Sequence, residues 1–445
     1  MFFETETLKI LTKALGILEE GFSEFPKFSQ ELDFPAIEKT LMKTAERLKD
    51  NYPYFHPLYA GQMLKPPHPI AKLAYMLSLY INPNNHALDG GRASSSMEKE
   101  LIADLARMFG FQTHLGHLCS GGTVANLEAL WVATCLHKGK KIVASSQAHY
   151  THSRMSKVLG VDFETINVTS KGKMDISHLE KMLLQGDIGT VVVTLGTTGA
   201  GLLEPLDKIV ELKNKYDFRI HVDGAYGGYF ILAENLSENS KKIMNSLPFA
   251  DSITIDPHKH GLQPYGCGCI LFKDPNVGKF YKHDSPYTYF SSNDMHLGEI
   301  TLECSRPGAS AVALWTTMQM LPPVKDGVFA KDLEKCRESA LKFYNILKED
   351  KNYITFFEPD LDIVVFAPNG ASFSEISEKS RKQFEESAKQ NLHLALFELP
   401  CEIAKHYVTN VKEDKENLTC LRSCLMKPEH LDWVEEIAGL LGITR

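Results

Sequence analysis

A chain of 445 residues, 43% of them apolar, exceeds one ordinary core and can bury two lobes. Its 48 basic against 56 acidic residues leave a net charge of −8, which argues against a nucleic-acid surface and says little about a substrate. No run of about eighteen uncharged apolar residues occurs, and the first residues are acidic rather than basic and then apolar, so a cytoplasmic protein without a membrane partner is expected. Nine cysteines, scattered from Cys119 to Cys424, do not resemble a disulfide framework in a chain of this length and are expected to be reduced.

From Glu4 to about Gly21, Leu8, Leu11, Leu15 and Leu18 recur every three or four residues. This is the spacing of an amphipathic helix whose apolar stripe needs a partner surface. Residues 51 to 69 are rich in proline and aromatics and read as irregular surface structure. From Met97 the patterns alternate. Helices are expected over Met97 to Phe109, Gly122 to His137 and Leu206 to Tyr216, and strands over Lys141 to Ala144, Thr190 to Thr194 and Arg219 to Val222. Apolar strands separated by such helices imply an α/β fold with a mostly parallel sheet covered on both faces. After Pro322-Pro323 a charged helix, Lys331 to Lys348, opens a smaller α/β lobe. It continues through a strand at 362–366, a helix from Ser374 to Gln390, strands near Leu394 and Leu418, and a closing helix from His430. The expected division is a helical segment 1–57, a large domain 58–325 and a small domain 326–445.

Three motifs carry chemistry. The strand-like run Ile253 to Ile255 stops at Asp256-Pro257, because proline donates no ladder hydrogen bond, and this places Lys259 where a buried strand ends. A lysine desolvated there offers a neutral amine to an aldehyde, which is Schiff-base chemistry. Asp223 follows an apolar strand and precedes the small residues Gly224 and Ala225, which leave room for a flat ring; a carboxylate there suits the ring nitrogen of a pyridine cofactor. The turn Ser120-Gly121-Gly122-Thr123 leads into a helix, whose first amides favour a phosphate. Thr198, Asp223 and Lys259 all fall at strand ends, where ligands gather in such sheets. His258, His260, Cys267 and Cys269 have ligand chemistry, yet Ile270-Leu271-Phe272 reads as a buried strand and the lysine between the histidines has no role in a zinc site, so no metal is expected.

Together these motifs make the chain resemble the group II pyridoxal-phosphate-dependent amino acid decarboxylases, the family of glutamate, tyrosine and aromatic amino acid decarboxylases. The resemblance runs from about Leu58 to Gly308 and more weakly to the carboxyl end. It implies a fold type I, transferase-like domain and pyridoxal 5′-phosphate as cofactor. By the same resemblance Lys259 is the lysine of the internal aldimine, His258 reaches the phosphate and Asp223 pairs with the ring nitrogen. Ala225 packs under the ring, His149 stacks on its other face, and Thr198 lies near the phenolic oxygen. Ser305 crosses a homodimer interface to the partner's phosphate, completing a shared active site, and the amino-terminal segment packs on the second subunit. Relatives draw substrate contacts from the segment holding Tyr59, Gln62 and His68. The loop after the lysine is short here, and Tyr287 and Tyr289 do not align convincingly with the catalytic tyrosine of several relatives.

The implied activity is decarboxylation of an L-amino acid to its amine and carbon dioxide. Lys259 and Asp223 do not decide which Cα bond breaks, so a carbon–carbon lyase of the sphingosine-phosphate type stays open beside a non-catalytic scaffold that keeps the fold.

Overall fold

Seven short strands build the sheet on which the site stands. In the computed structural model, which describes residues 5–26, 28–282 and 296–443, they are β1 (Leu115–Cys119), β2 (Lys141–Ser145), β3 (Phe163–Ile166), β4 (Ile188–Thr194), β5 (Arg219–Asp223), β6 (Ser252–Ile255) and β7 (Gly268–Phe272). The sheet order is β1-β7-β6-β5-β4-β2-β3. Only β7 runs against its neighbours; the others are parallel, as expected for strands joined by helical crossovers. Every residue of β4, β6 and β7 is buried, because both faces of the sheet are covered.

Register delivers the chemistry. Thr194 pairs with Asp223 and Asp223 with Thr254, so the carboxyl ends of β4, β5 and β6 finish level with one another. Asp223 is thus the last residue of its strand, one position beyond the expected end at Val222.

Among the helices that precede or cover this sheet are α1 (Thr5–Gly21), α2 (Phe34–Leu48), α3 (Pro69–Leu79), α4 (Arg92–Met108), α5 (Gly122–Leu136) and α6 (Thr151–Val158). Asp33 starts α2, its carboxylate accepting from the Ala36 amide, yet no residue of α2 is buried. Of the expected stripe on α1, Leu11 is buried and Leu8 is half exposed.

The second sheet is antiparallel, order β10-β11-β9-β8, with β8 (Tyr353–Thr355), β9 (Ile363–Pro368), β10 (Ala395–Pro400) and β11 (Asn417–Cys424). Helices Val328–Glu349, Phe373–Lys389 and His430–Leu440 accompany it. One apolar core joins the two sheets: Val193 and Leu195 belong to the same buried cluster as Ile363 and Val365. Residues 58–60 pack with the second sheet, the Ala60 amide donating to the His393 carbonyl at 2.9 Å. No helix among the described residues is long and apolar enough to cross a membrane.

Candidate active site

The glycine turn is built by close approach. Gly121 caps α5, whose first amides have no acceptor within the helix and sit at its positive end. Gly268 on β7 lies so near that a Cβ there would come within 2.5 Å of the Gly121 Cα, and a Cβ on Gly122 would come within 2.8 Å of Asp256 Oδ2. Small residues are therefore required on both sides, which leaves a cradle floored by backbone donors. The Ser120 amide is taken by Glu303 Oε2 at 2.9 Å.

Asp223 is buried at the end of β5. Its Oδ1 accepts from the Ala225 amide at 3.1 Å, and its Oδ2 lies 2.9 Å from His152 Nε2. Burial alone would push this carboxyl up, but the hydrogen bond and charge of His152, the Lys259 ammonium and the Ala225 amide together hold it well below the usual carboxylate range. It carries its negative charge at any physiological pH.

Lys259 departs from the expectation of a lysine isolated by burial. Its Nζ lies 3.1 Å from Asp256 Oδ2, and about a quarter of its side chain is exposed toward the cavity. The amine faces its own counter-ion. His258 Nδ1 contacts the Cys267 carbonyl at 2.8 Å, its Nε2 lies 3.5 Å from Asp256 Oδ2, and burial lowers its pKa. His149 accepts at Nδ1 from the Thr151 amide at 3.2 Å, and burial lowers its pKa as well, so it presents a neutral imidazole.

A cavity of about 370 Å³ gathers Gly121, Gly122, Thr123, His149, Thr198, Asp223, Ala225, His258 and Lys259 in its wall. Ser305 stands outside that wall; it is exposed and accepts from Asn84 Nδ2 at 3.1 Å. Gln62 is held through its Oε1 by Arg422 at 2.7 Å, whereas Tyr59 is buried against Tyr54 and His393, and His68 caps α3. Tyr287 and Tyr289 lie outside the described residues. Among the described residues no group of three or more histidine, cysteine or acidic side chains is placed to hold a metal.

Sequence reasoning missed Asp256, His152 and Arg422. In the sequence Asp256 marks only the stop of a strand. Arg422, buried on β11, donates to the Thr198 carbonyl at 2.8 Å; a cation inside an apolar strand run was the available signal. The donor set fits pyridoxal phosphate: a primary amine, an ionised carboxylate, a neutral imidazole and a helix amino terminus converge in one cavity.

Residues 29–368 match the family described as the pyridoxal-dependent decarboxylase conserved domain, so the chain belongs to that family. Its cofactor is pyridoxal 5′-phosphate and its class is the carboxy-lyases. L-tyrosine decarboxylase of Enterococcus faecium is 29% identical over 391 residues, covering 65% of this chain and 64% of the relative, so the chain spans just under two thirds of that protein. L-aspartate decarboxylase of Thermococcus kodakarensis is 29% identical over 332 residues, covering 74% and 84%. Among solved structures, Oryza sativa TDC with PLP and tryptamine superposes with a TM-score of 0.78 at 16% identity, over 98% of this chain and 94% of that one. Mouse CSAD gives 0.77 at 16% identity over the whole of both chains. These two likenesses establish the fold. Neither the carbon–carbon lyase nor the scaffold reading is favoured by these relatives.

Proposed function

We propose that the protein decarboxylates an L-amino acid, releasing carbon dioxide and the amine. The observation that carries this reading is the convergence of Lys259, Asp223, His149 and the glycine turn on a single cavity. The bound cofactor supplies an electron sink for the pair left when the Cα–carboxylate bond breaks. The chain's own residues do the rest. Lys259 would offer its amine to the cofactor's aldehyde, and Asp256, 3.1 Å away, is placed to hold the proton that the ammonium gives up. Asp223, which stays ionised in a buried place, would hold a proton on the cofactor's ring nitrogen. In the same cavity wall, His149, Ala225 and Thr198 would confine the cofactor's ring, and Gly121, Gly122, Thr123 and His258 would hold its phosphate.

The division into an amino-terminal segment 1–57, a domain 58–325 and a domain 326–445 belongs to the same reading, as does a homodimer. Phe34, Ile37, Leu41 and Leu48 all lie exposed on α2, a row of apolar side chains that a second subunit would cover. Ser305 then reaches the partner's phosphate site. The test of activity is a carbon dioxide release screen across the standard amino acids and cysteine sulfinate. Release from at least one of them with the matching amine is expected. An aldehyde released without carbon dioxide, with the amino group kept on the other fragment, would favour the lyase instead, and no product from any substrate would leave a scaffold.

A further inference from the structure

Behind Asp223 lies a buried histidine that the proposed chemistry does not use. His152, on α6, is fully buried, and its Nε2 is the partner of Asp223 Oδ2 at 2.9 Å. Its other ring nitrogen, Nδ1, is also buried and has no hydrogen-bond partner among the described residues. A leucine or phenylalanine at this position would avoid that orphaned nitrogen. What the imidazole offers in return is the single contact to Asp223.

The contact matters because a carboxylate at a strand end turns broadly about its terminal bond. Asp223 is fixed from two directions by two elements: the Ala225 amide, from the turn after β5, takes Oδ1, and His152, from α6, takes Oδ2. The same short segment also sets His149, since the His152 amide donates to the His149 carbonyl at 3.2 Å. Residues 149–152 thereby tie the imidazole in the cavity wall to the carboxylate beside it.

We propose that His152 is a positioning residue for Asp223, fixing the plane in which the carboxylate meets the cofactor's ring nitrogen. This rests on the cofactor reading above. It assigns a role to one ring atom, Nε2, and so makes glutamine and asparagine unequal substitutes: a glutamine amide reaches the place of Nε2, and an asparagine amide the place of Nδ1.

The experiment measures pyridoxal phosphate binding to apoprotein, by equilibrium dialysis and by the visible absorption band, for wild type, His152→Leu, His152→Gln and His152→Asn. Loss of one charge-assisted hydrogen bond is expected to raise the dissociation constant of the leucine and asparagine variants at least about tenfold, with an altered pH dependence of the band. The glutamine variant is expected within about threefold of wild type. Should His152→Leu fail to fold, glutamine against asparagine carries the comparison. Leucine binding as tightly as wild type, or glutamine and asparagine losing equally, would overturn the assignment and leave His152 a packing residue. Wild type that took up no cofactor at all would overturn the cofactor reading and this inference with it.

Discussion

Lys259 Nζ and Asp256 Oδ2 lie 3.1 Å apart, and the same carboxylate oxygen fills the space where a Cβ on Gly122 would stand. One acidic side chain thus serves both the amine and the floor of the glycine turn. Gly122→Val places branched carbon against the buried Asp256 carboxylate, whose Oδ2 would lie 2.8 Å from the new Cβ. Cofactor affinity is expected to fall at least about tenfold, the cost of one displaced charged contact. Titration of the apoprotein followed by absorption measures it, and unchanged affinity would show that the turn does not carry the phosphate.

Asp223→Asn keeps the shape and removes the charge. Part of the cofactor binding is expected to survive, while the rate falls at least about a hundredfold, on the scale of one strong electrostatic contact in a dry site. Steady-state rates beside cofactor content separate the two effects. Activity within a few fold of wild type would mean that another group pairs with the ring.

Glu204 supplies a test by pH. Burial pushes its carboxyl up from 4.5 to about 7, against the Thr194 amide that donates to it at 2.6 Å. Between those two values the unfolded chain has released the proton and the folded chain still holds it. Stability therefore falls as pH rises through that window, by about 3 kcal/mol in all, and the loss is complete above about 7. Glu204→Gln is expected to abolish this slope and to be the more stable protein at pH 8, by denaturant unfolding at several pH values. His221 and His430 act in the opposite sense. Burial holds both near 3, so their contribution is lost as pH falls from 6.5 toward 3. Identical pH slopes for wild type and Glu204→Gln would contradict the assignment to Glu204.

The strands around the site were legible because Thr190 to Thr194, Arg219 to Val222 and Ile253 to Ile255 are short β-branched or apolar runs ended by small residues or proline. Asp223 and Lys259 could be read because each stands just past the end of such a run with chemistry out of place there, and the glycine turn because its small residues lead into a helical pattern. Other elements gave no such contrast. Glycine and histidine break the run of β1, and β3 is an edge strand with two exposed residues, so neither shows an apolar pattern. His152 meets its partner Asp223 in space rather than in sequence. Asp223 and His152 are brought together by β5 and α6, and no local pattern marks that meeting.

Deleting the residues up to Gly21 removes α1, whose apolar stripe is only partly covered within one chain. If a second subunit covers the rest and lends Ser305, dimerisation and cofactor retention are expected to weaken together. Sedimentation of wild type and truncated protein, alongside cofactor content, measures both. A fully active monomer with tightly held cofactor would return Ser305 to the role of an ordinary turn residue bonded to Asn84.

The most direct measurement is borohydride reduction of the protein reconstituted with pyridoxal phosphate, followed by peptide mapping, with Lys259→Ala treated alongside. The cofactor is expected on the peptide that contains Lys259 and nowhere else, and the alanine variant is expected to stay colourless and unlabelled. Labelling of another lysine in wild type, or an unlabelled wild type, would contradict a site organised around Lys259.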